Sequence, residues 1–359
     1  MIAVTDILTP LDDPLVARRR LILIGLAVTL ALACVAACTI GALDIPTDHV
    51  IAALLAHVGM PLPVDVAPFE DAALFSIRLP RVALGIGVGA TLGISGAALQ
   101  ALFRNPLADP GLIGVSGGAA CGALGWIVLG ATLPAWTHFA FAMPMAAFTT
   151  GLAATAGVYV VGRAQSRTDI ATLLLAGLAI NALTTAIVGY LTYLGTDAQL
   201  RALTFWLLGG LGGATWNQIW PVLLLIAASG IGFASLARGY DLLALGETSA
   251  VHLGLHVESV RRLTILFTAL GVGASVALTG IIGFVGLAAP HLVRLMGGPS
   301  HRFVLPGSAL MGALLVVLAD LLARIAVSPA ELPIGVVTSA LGAPFFIWLL
   351  RRRMRETTL

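Results

Sequence analysis

No lysine occurs anywhere in the 359 residues; all 19 basic positions are arginine. The phosphate-gripping loop of a nucleotide hydrolase, G-x-x-x-x-G-K-[ST], needs a lysine, so this chain has no such loop of its own. Chemistry that runs through a lysine amine is excluded with it. Charge of either sign is scarce: 10% of residues carry it, against about 25% in an average soluble domain. A net charge of +2 offers no electrostatic footprint for nucleic acid, and no nucleic-acid partner is expected. Cysteine is limited to Cys34, Cys38 and Cys121; all three fall inside apolar runs, which argues for small-hydrophobe packing rather than a disulfide framework. H-E-x-x-H is absent, which leaves a membrane metalloenzyme of that kind without its motif.

What the chain has instead is apolar length, with 59% of residues hydrophobic. About 20 such residues cross a bilayer core about 30 Å thick. Candidate spans lie near 21–43, 82–103, 111–131, 139–162, 170–195, 216–236, 263–293, 303–323 and 333–350. No sizeable soluble domain fits beside them, so the expected organisation is a short N-terminal segment, 1–20, followed by one transmembrane domain, 21–359. Val35-Ala36-Ala37-Cys38, after Arg18-Arg19-Arg20, resembles a lipoprotein processing site. The preceding run is as long as a full span and many spans follow, so a first membrane helix is the simpler reading.

The run 263–293 is too long for one straight span and too short for two full ones. A break near Thr279-Gly280 into two short helices gives ten crossings and puts fifteen arginines on one side, with Arg78, Arg81, Arg201 and Arg324 opposite. A single crossing would divide them ten against nine. The excess of arginine on cytoplasmic loops therefore predicts ten helices with both termini cytoplasmic.

Sliding the chain by 184 residues lays Arg78-Leu79 on Arg262-Leu263, Gly87-Val88-Gly89-Ala90 on Gly271-Val272-Gly273-Ala274, Gly96 on Gly280 and Pro106 on Pro290. The two copies begin five crossings apart, on opposite sides of the membrane. This is the inverted-repeat pattern of transporters, whose path forms near the repeat interface.

The stretch RLPRVALGIGVGATLGISGAALQALFRNPLADPGLIGVSGGAA, Arg78 to Ala120, is a helix whose closely spaced small residues permit backbone contact with neighbours. It ends at Asn105-Pro106. The string resembles the permease subunits of bacterial ABC importers for iron siderophores, haem and cobalamin. Further matches are FWLLGGLGGATW (Phe205 to Trp216), DLLALGETSAVHLGL (Asp241 to Leu255), GFVGLAAPHLVRLMGGPSHRFVLP (Gly283 to Pro306), LADLLAR (Leu318 to Arg324) and ELPIGVVTSALGAPFFIWLLRR (Glu331 to Arg352). The wording FRNPLADPGLIGVSGGAA is most similar to haem-import permeases.

The resemblance implies an all-α permease of the type II importer kind, in the bacterial inner membrane. It implies a homodimer, two separate ATPase subunits that alone use ATP, and a periplasmic binding protein that delivers haem, a ferric siderophore or cobalamin. No permanently bound cofactor or metal is expected. Arg78, Arg81 and Arg324 match arginines that meet glutamates on the binding protein; the plainer readings are snorkelling and, for Arg324, pairing with Asp320 four residues earlier. The segment 238–262, divided by Gly246 and Gly254 into two amphipathic pieces, matches the one that docks on the ATPase. Its candidate coupling residues are Asp241, Leu242, Leu245, Gly246, Glu247, His252 and Gly254. His252 and His256 have metal-ligand spacing without a third ligand nearby, so surface polarity is the expected role. Asn105 and Leu107 match a cytoplasmic gate, although a plain Asn-Pro helix end would look the same. For His291, packing or capping is preferred over haem ligation. Residues 199–208 are too short to span and suggest an interfacial or re-entrant helix.

The runner-up class is an ion-coupled secondary transporter, which needs carboxylates near mid-membrane. Asp169 begins a predicted helix and Asp320 lies near the end of one, so neither sits at a span centre.

Overall fold

The computed structural model describes residues 14–41, 43–164, 167–168, 170–328 and 330–357. Residues 1–13, most of the expected N-terminal segment, lie outside that set, as does Asp169. The chain forms α1 (Pro14–Thr39), α2 (Thr47–His57), α3 (Pro68–Ala73), α4 (Leu79–Leu102), α5 (Val115–Leu129), α6 (Ala142–Val161), α7 (Ile170–Leu194) and α8 (Asp197–Leu208). It continues through α9 (Trp216–Ser235), α10 (Ala237–Ala244), α11 (Glu247–His252), α12 (Val257–Thr279), α13 (Val285–Gly297), α14 (His301–Ile325) and α15 (Ile334–Thr357). Among the described residues the only strand pairing is a two-residue ladder, Arg163–Ala164 against Arg167–Thr168.

Eight helical stretches are long and apolar enough to cross a membrane. A count of ten adds the two shorter pieces, α13 and the apolar Ile334–Ile347 portion of α15. The chain does break after Thr279, but not into two short helices. Helix α12 starts at Val257, earlier than the apolar run, and is a full span of 23 residues; only α13, with 13, is short. Gly280 stops α12 by adopting φ 69°, a conformation a side chain resists. A Cβ there would also lie 2.0 Å from the Trp206 carbonyl oxygen. The repeat register fails at this point, because α4 runs straight through Gly96, the counterpart of Gly280.

Helix α4 occupies the centre of the bundle. In the most apolar 18-residue window of Pro68–Leu102, which α4 dominates, 83% of residues are buried, against 22% in the corresponding windows of α1, α6, α7 and α9, whose outer faces remain apolar and uncovered. Helices α14, α13, α12 and α9 surround it. The closest seam is α4 on α14, where Gly89 and Gly312 meet backbone to backbone. A Cβ on either would stand 2.3 or 2.1 Å from the other's carbonyl oxygen. In lipid, where apolar contact alone gives helices little reason to associate, such close packing supplies the attraction.

Beside it, α13 carries Pro290 in its interior, which removes the N–H that would bond to the Gly286 carbonyl. Gln100 of α4 fills the gap, its Nε2 donating to the Gly286 oxygen at 3.3 Å. Pro290 therefore sits inside a helix rather than breaking one. The predicted piece at 199–208 is α8, opened by a Thr196/Gln199 capping box and anchored where Gln199 Nε2 donates to the Ile127 carbonyl at 2.8 Å.

Candidate functional site

The three arginines singled out near one end of the bundle converge around a cavity of about 290 Å³ that also takes in Gly41, Ser328 and Glu331. Arg78 closes a π-helical turn, Leu74–Arg78, that runs directly into α4. Its guanidinium donates to the carbonyls of Cys38, Thr39 and Leu43, at and beyond the C-terminal end of α1. Arg324 reaches the same helix end, donating to Ala37 at 3.1 Å and Ile40 at 3.2 Å. A helix C-terminus leaves four carbonyls unpaired and carries partial negative charge, which suits both side chains.

Arg81, in the first turn of α4, makes a forked pair with Asp320 of α14, Nε to Oδ1 at 3.0 Å and Nη2 to Oδ1 at 2.9 Å. Its Nη1 meets Glu331 at 2.9 Å. Arg324 Nε lies 3.3 Å from Asp320 Oδ2, an ion pair not aligned as a hydrogen bond. The intramolecular partner foreseen for Arg324 is thus present. Asp320, 3% exposed, is the negative centre between two guanidiniums. The cluster keeps an excess of one positive charge, and Glu331, 49% exposed at its side chain, is its accessible acid.

Near α10 and α11, Gly246 (φ 107°) and Gly254 (φ 83°) do divide the segment into two short helices. Two of its acids turn inward. Asp241 caps α14, accepting from the His301 backbone N–H at 2.7 Å and bonding the ring Nδ1 at 2.9 Å. Glu247 accepts from Arg261 of α12 at 2.6 Å. Leu242 is half-buried while Leu245 is 64% exposed, so the apolar surface left over points away from the bundle. His252 ends α11 and His256 precedes α12, so no single helix presents both. Among the described residues no three metal-ligand side chains come together.

Asn105 Oδ1 accepts from the Leu107 N–H at 2.9 Å, holding the turn after α4 with Leu107 exposed. His291 lies edge-on to Phe345 at 6.2 Å, the packing role expected of it. Two features had no clear sequence signal. One is the left-handed backbone of Arg104 and Phe284, positions where glycine would be expected. The other is the run of contacts joining Gly209 at the end of α8, the break at 280–283 and the start of α15: Gly210 N–H to Thr279 at 2.8 Å and Ile334 N–H to Gly209 at 3.0 Å.

A multi-span helical bundle with a broken helix, a paired short segment at one end and an arginine cluster at the other defines a membrane permease. The chain belongs to the FecCD transport family, whose pattern it matches over residues 28–352. It is 44% identical over 281 residues to the hemin transport system permease protein HmuU of Yersinia pestis, covering 78% of this chain and 84% of that protein. It is also 44% identical over 288 residues to the vitamin B12 import system permease protein BtuC of Salmonella newport, covering 79% and 84%. A solved inward-facing conformation of a metal-chelate type ABC transporter superposes with a TM-score of 0.80 at 31% identity, over 92% of this chain and 99% of the other. The chain is therefore the membrane permease of a type II ABC importer, a class that works with ATPase and substrate-binding partners. The ion-coupled reading falls, and Asp320, locked between two arginines, is no free proton or sodium site.

Proposed function

We propose that this permease passes haem, delivered by a periplasmic binding protein, through a path between two copies of itself. The supporting observation is the wording FRNPLADPGLIGVSGGAA around the turn after α4. Two ATPase subunits dock on 238–262 through Leu242, Leu245, Gly246, His252 and Gly254, with Asp241 and Glu247 holding that segment to α14 and α12. Both termini are cytoplasmic, and ATP binding and release in the partners open the path alternately to each side. Asn105 and Leu107 form the inner gate. Arg78, Arg81 and Arg324 present the binding-protein face, where charge fixes register more than it supplies affinity. The chain holds no cofactor permanently; ATP is used by the partners.

A second reading, cobalamin as cargo, is favoured by the equal 44% identity to BtuC; a ferric siderophore is the third within the family. The test is uptake into vesicles holding the complete complex with ATP inside, offered haem, cobalamin or a ferric siderophore with the matching binding protein. Haem accumulation alone upholds the proposal. Accumulation of another cargo without haem reassigns it.

A further inference from the structure

A second cavity of about 290 Å³ lies at the other end of α4, lined by Gln100, Arg104, Asn105, Ala244, Arg294 and His301 among others. Its charge is unbalanced. Arg294 of α13 is half-buried, and its guanidinium donates to the neutral amide oxygen of Gln100. Among the described residues no carboxylate pairs with Arg294 or with Arg104. Asp241, whose partner His301 lines the cavity, is committed to that histidine. Gln100 holds Arg294 in place, because its Nε2 is fixed on the carbonyls of Ala108 and Gly286. A charge withdrawn from water without a partner is costly.

Arg104 supplies the second, independent observation. It stands just past the end of α4 with φ 49°, at the position where glycine ordinarily ends a helix. Its own N–H bonds back to Ala101 at 3.3 Å and the Asn105 N–H to Gln100 at 3.2 Å, the hydrogen bonding of a glycine-type cap. An arginine there strains the backbone without adding to the cap. What it adds is a guanidinium at the rim of the cavity. Nearby, Arg19 lies on the turn between α13 and α14, bonding the Gly297 carbonyl at 2.8 Å, and Arg302 is exposed.

We propose that an acidic side chain of the ATPase subunit inserts into this cavity and pairs with Arg294 and Arg104. The inference rests on the reading of 238–262 as the ATPase-docking segment. Ala244, at the end of α10, forms one wall, so a subunit seated on α10 covers the mouth. The volume suits an Asp or Glu side chain, and two guanidinium forks match a carboxylate's geometry. A lipid headgroup fits less well. The cavity lies at the end of the most enclosed helix, and acyl chains would need a route outward.

Binding of the purified ATPase subunit to the permease in nanodiscs, over a range of salt, tests this. Arg104→Gly is expected to leave the permease's own melting temperature unchanged or higher, because glycine adopts that backbone freely. Arg294→Met removes an uncompensated charge but leaves the buried Gln100 oxygen unpaired, so its melting temperature is expected to change little. Both are expected to weaken assembly about tenfold or more and to flatten its salt dependence. Leu245→Glu, on the exposed face beside the cavity, is the control for docking. If it weakens assembly while both arginine variants bind as wild type, the cavity is not the contact and the docking reading stands. If Leu245→Glu is silent too, both readings fail. Stabilisation of the isolated permease by inorganic phosphate or by phosphatidylglycerol nanodiscs, abolished by Arg294→Met, would overturn the proposal in favour of that ligand.

Discussion

Asp320 is the residue on which one end of the bundle depends. It is buried, and its two oxygens face Arg81 and Arg324, residues that α4 and α14 bring together. Removing its charge takes the one buried carboxylate from both guanidiniums, a change that costs about 3–5 kcal/mol. Asp320→Asn should therefore lower the melting temperature of the purified permease sharply. Glu331→Gln, at a half-exposed partner, should cost no more than about 1 kcal/mol. Equal effects from the two would refute the central role of Asp320. The Asp320–Arg324 pair was legible because residues four apart share a helix face. The Arg81–Glu331 contact, 250 positions apart, was not, since nothing local records which helices become neighbours.

Among elements, α4 and α14 approach so closely that side-chain volume decides whether they pack. Gly312→Val would drive a branched side chain into the Gly89 carbonyl and should abolish folded, monodisperse protein on size-exclusion chromatography. Gly125→Ala in α5, with nothing within 4 Å, should be neutral or raise stability by up to about 1 kcal/mol. Similar outcomes for both would show that the seam tolerates bulk. The glycines announced close packing; which helix they met was decided only by folding.

A weaker contact ties α2 to α3, where His49 Nδ1 lies 2.7 Å from Glu70 Oε2. The Glu70 carboxylate raises the His49 pKa above its ordinary value of 6.5. The contact's contribution is thus complete below about pH 6.5 and is lost as pH rises through the raised value. Hydrogen-exchange protection of α2, taken relative to the base-catalysed intrinsic rate at each pH, should fall across that interval. His49→Gln should remove this fall, and protection that stays constant in the wild type would dismiss it. Helix α2 itself was not foreseen, being too short and too weakly patterned to stand out from the connection that holds it.

At the scale of the whole molecule, the arginine asymmetry predicts both ends of the chain on one side. A reporter active only in the cytoplasm should work at either terminus, and activity at one end alone would mean an odd number of crossings. That count turns on α13, which with 13 residues is about 20 Å long and needs the non-helical stretch 280–284 to reach further. Family membership explains why so many motifs appear in order, and the chain is equally similar, at 44% identity, to a hemin and to a B12 permease.

Apolar length and missing lysine determined a membrane-embedded chain without its own nucleotide loop, because each is a local property that survives in one dimension, and the resemblance carried by the glycine-rich string implied a permease. The start of α12 at Val257, the capping of α14 by Asp241 and the enclosure of Arg81 and Arg324 around Asp320 were decided only by the tertiary structure. Each depends on which distant segment lies opposite. In a bundle where most neighbours are equally apolar, hydropathy alone carries no record of that choice.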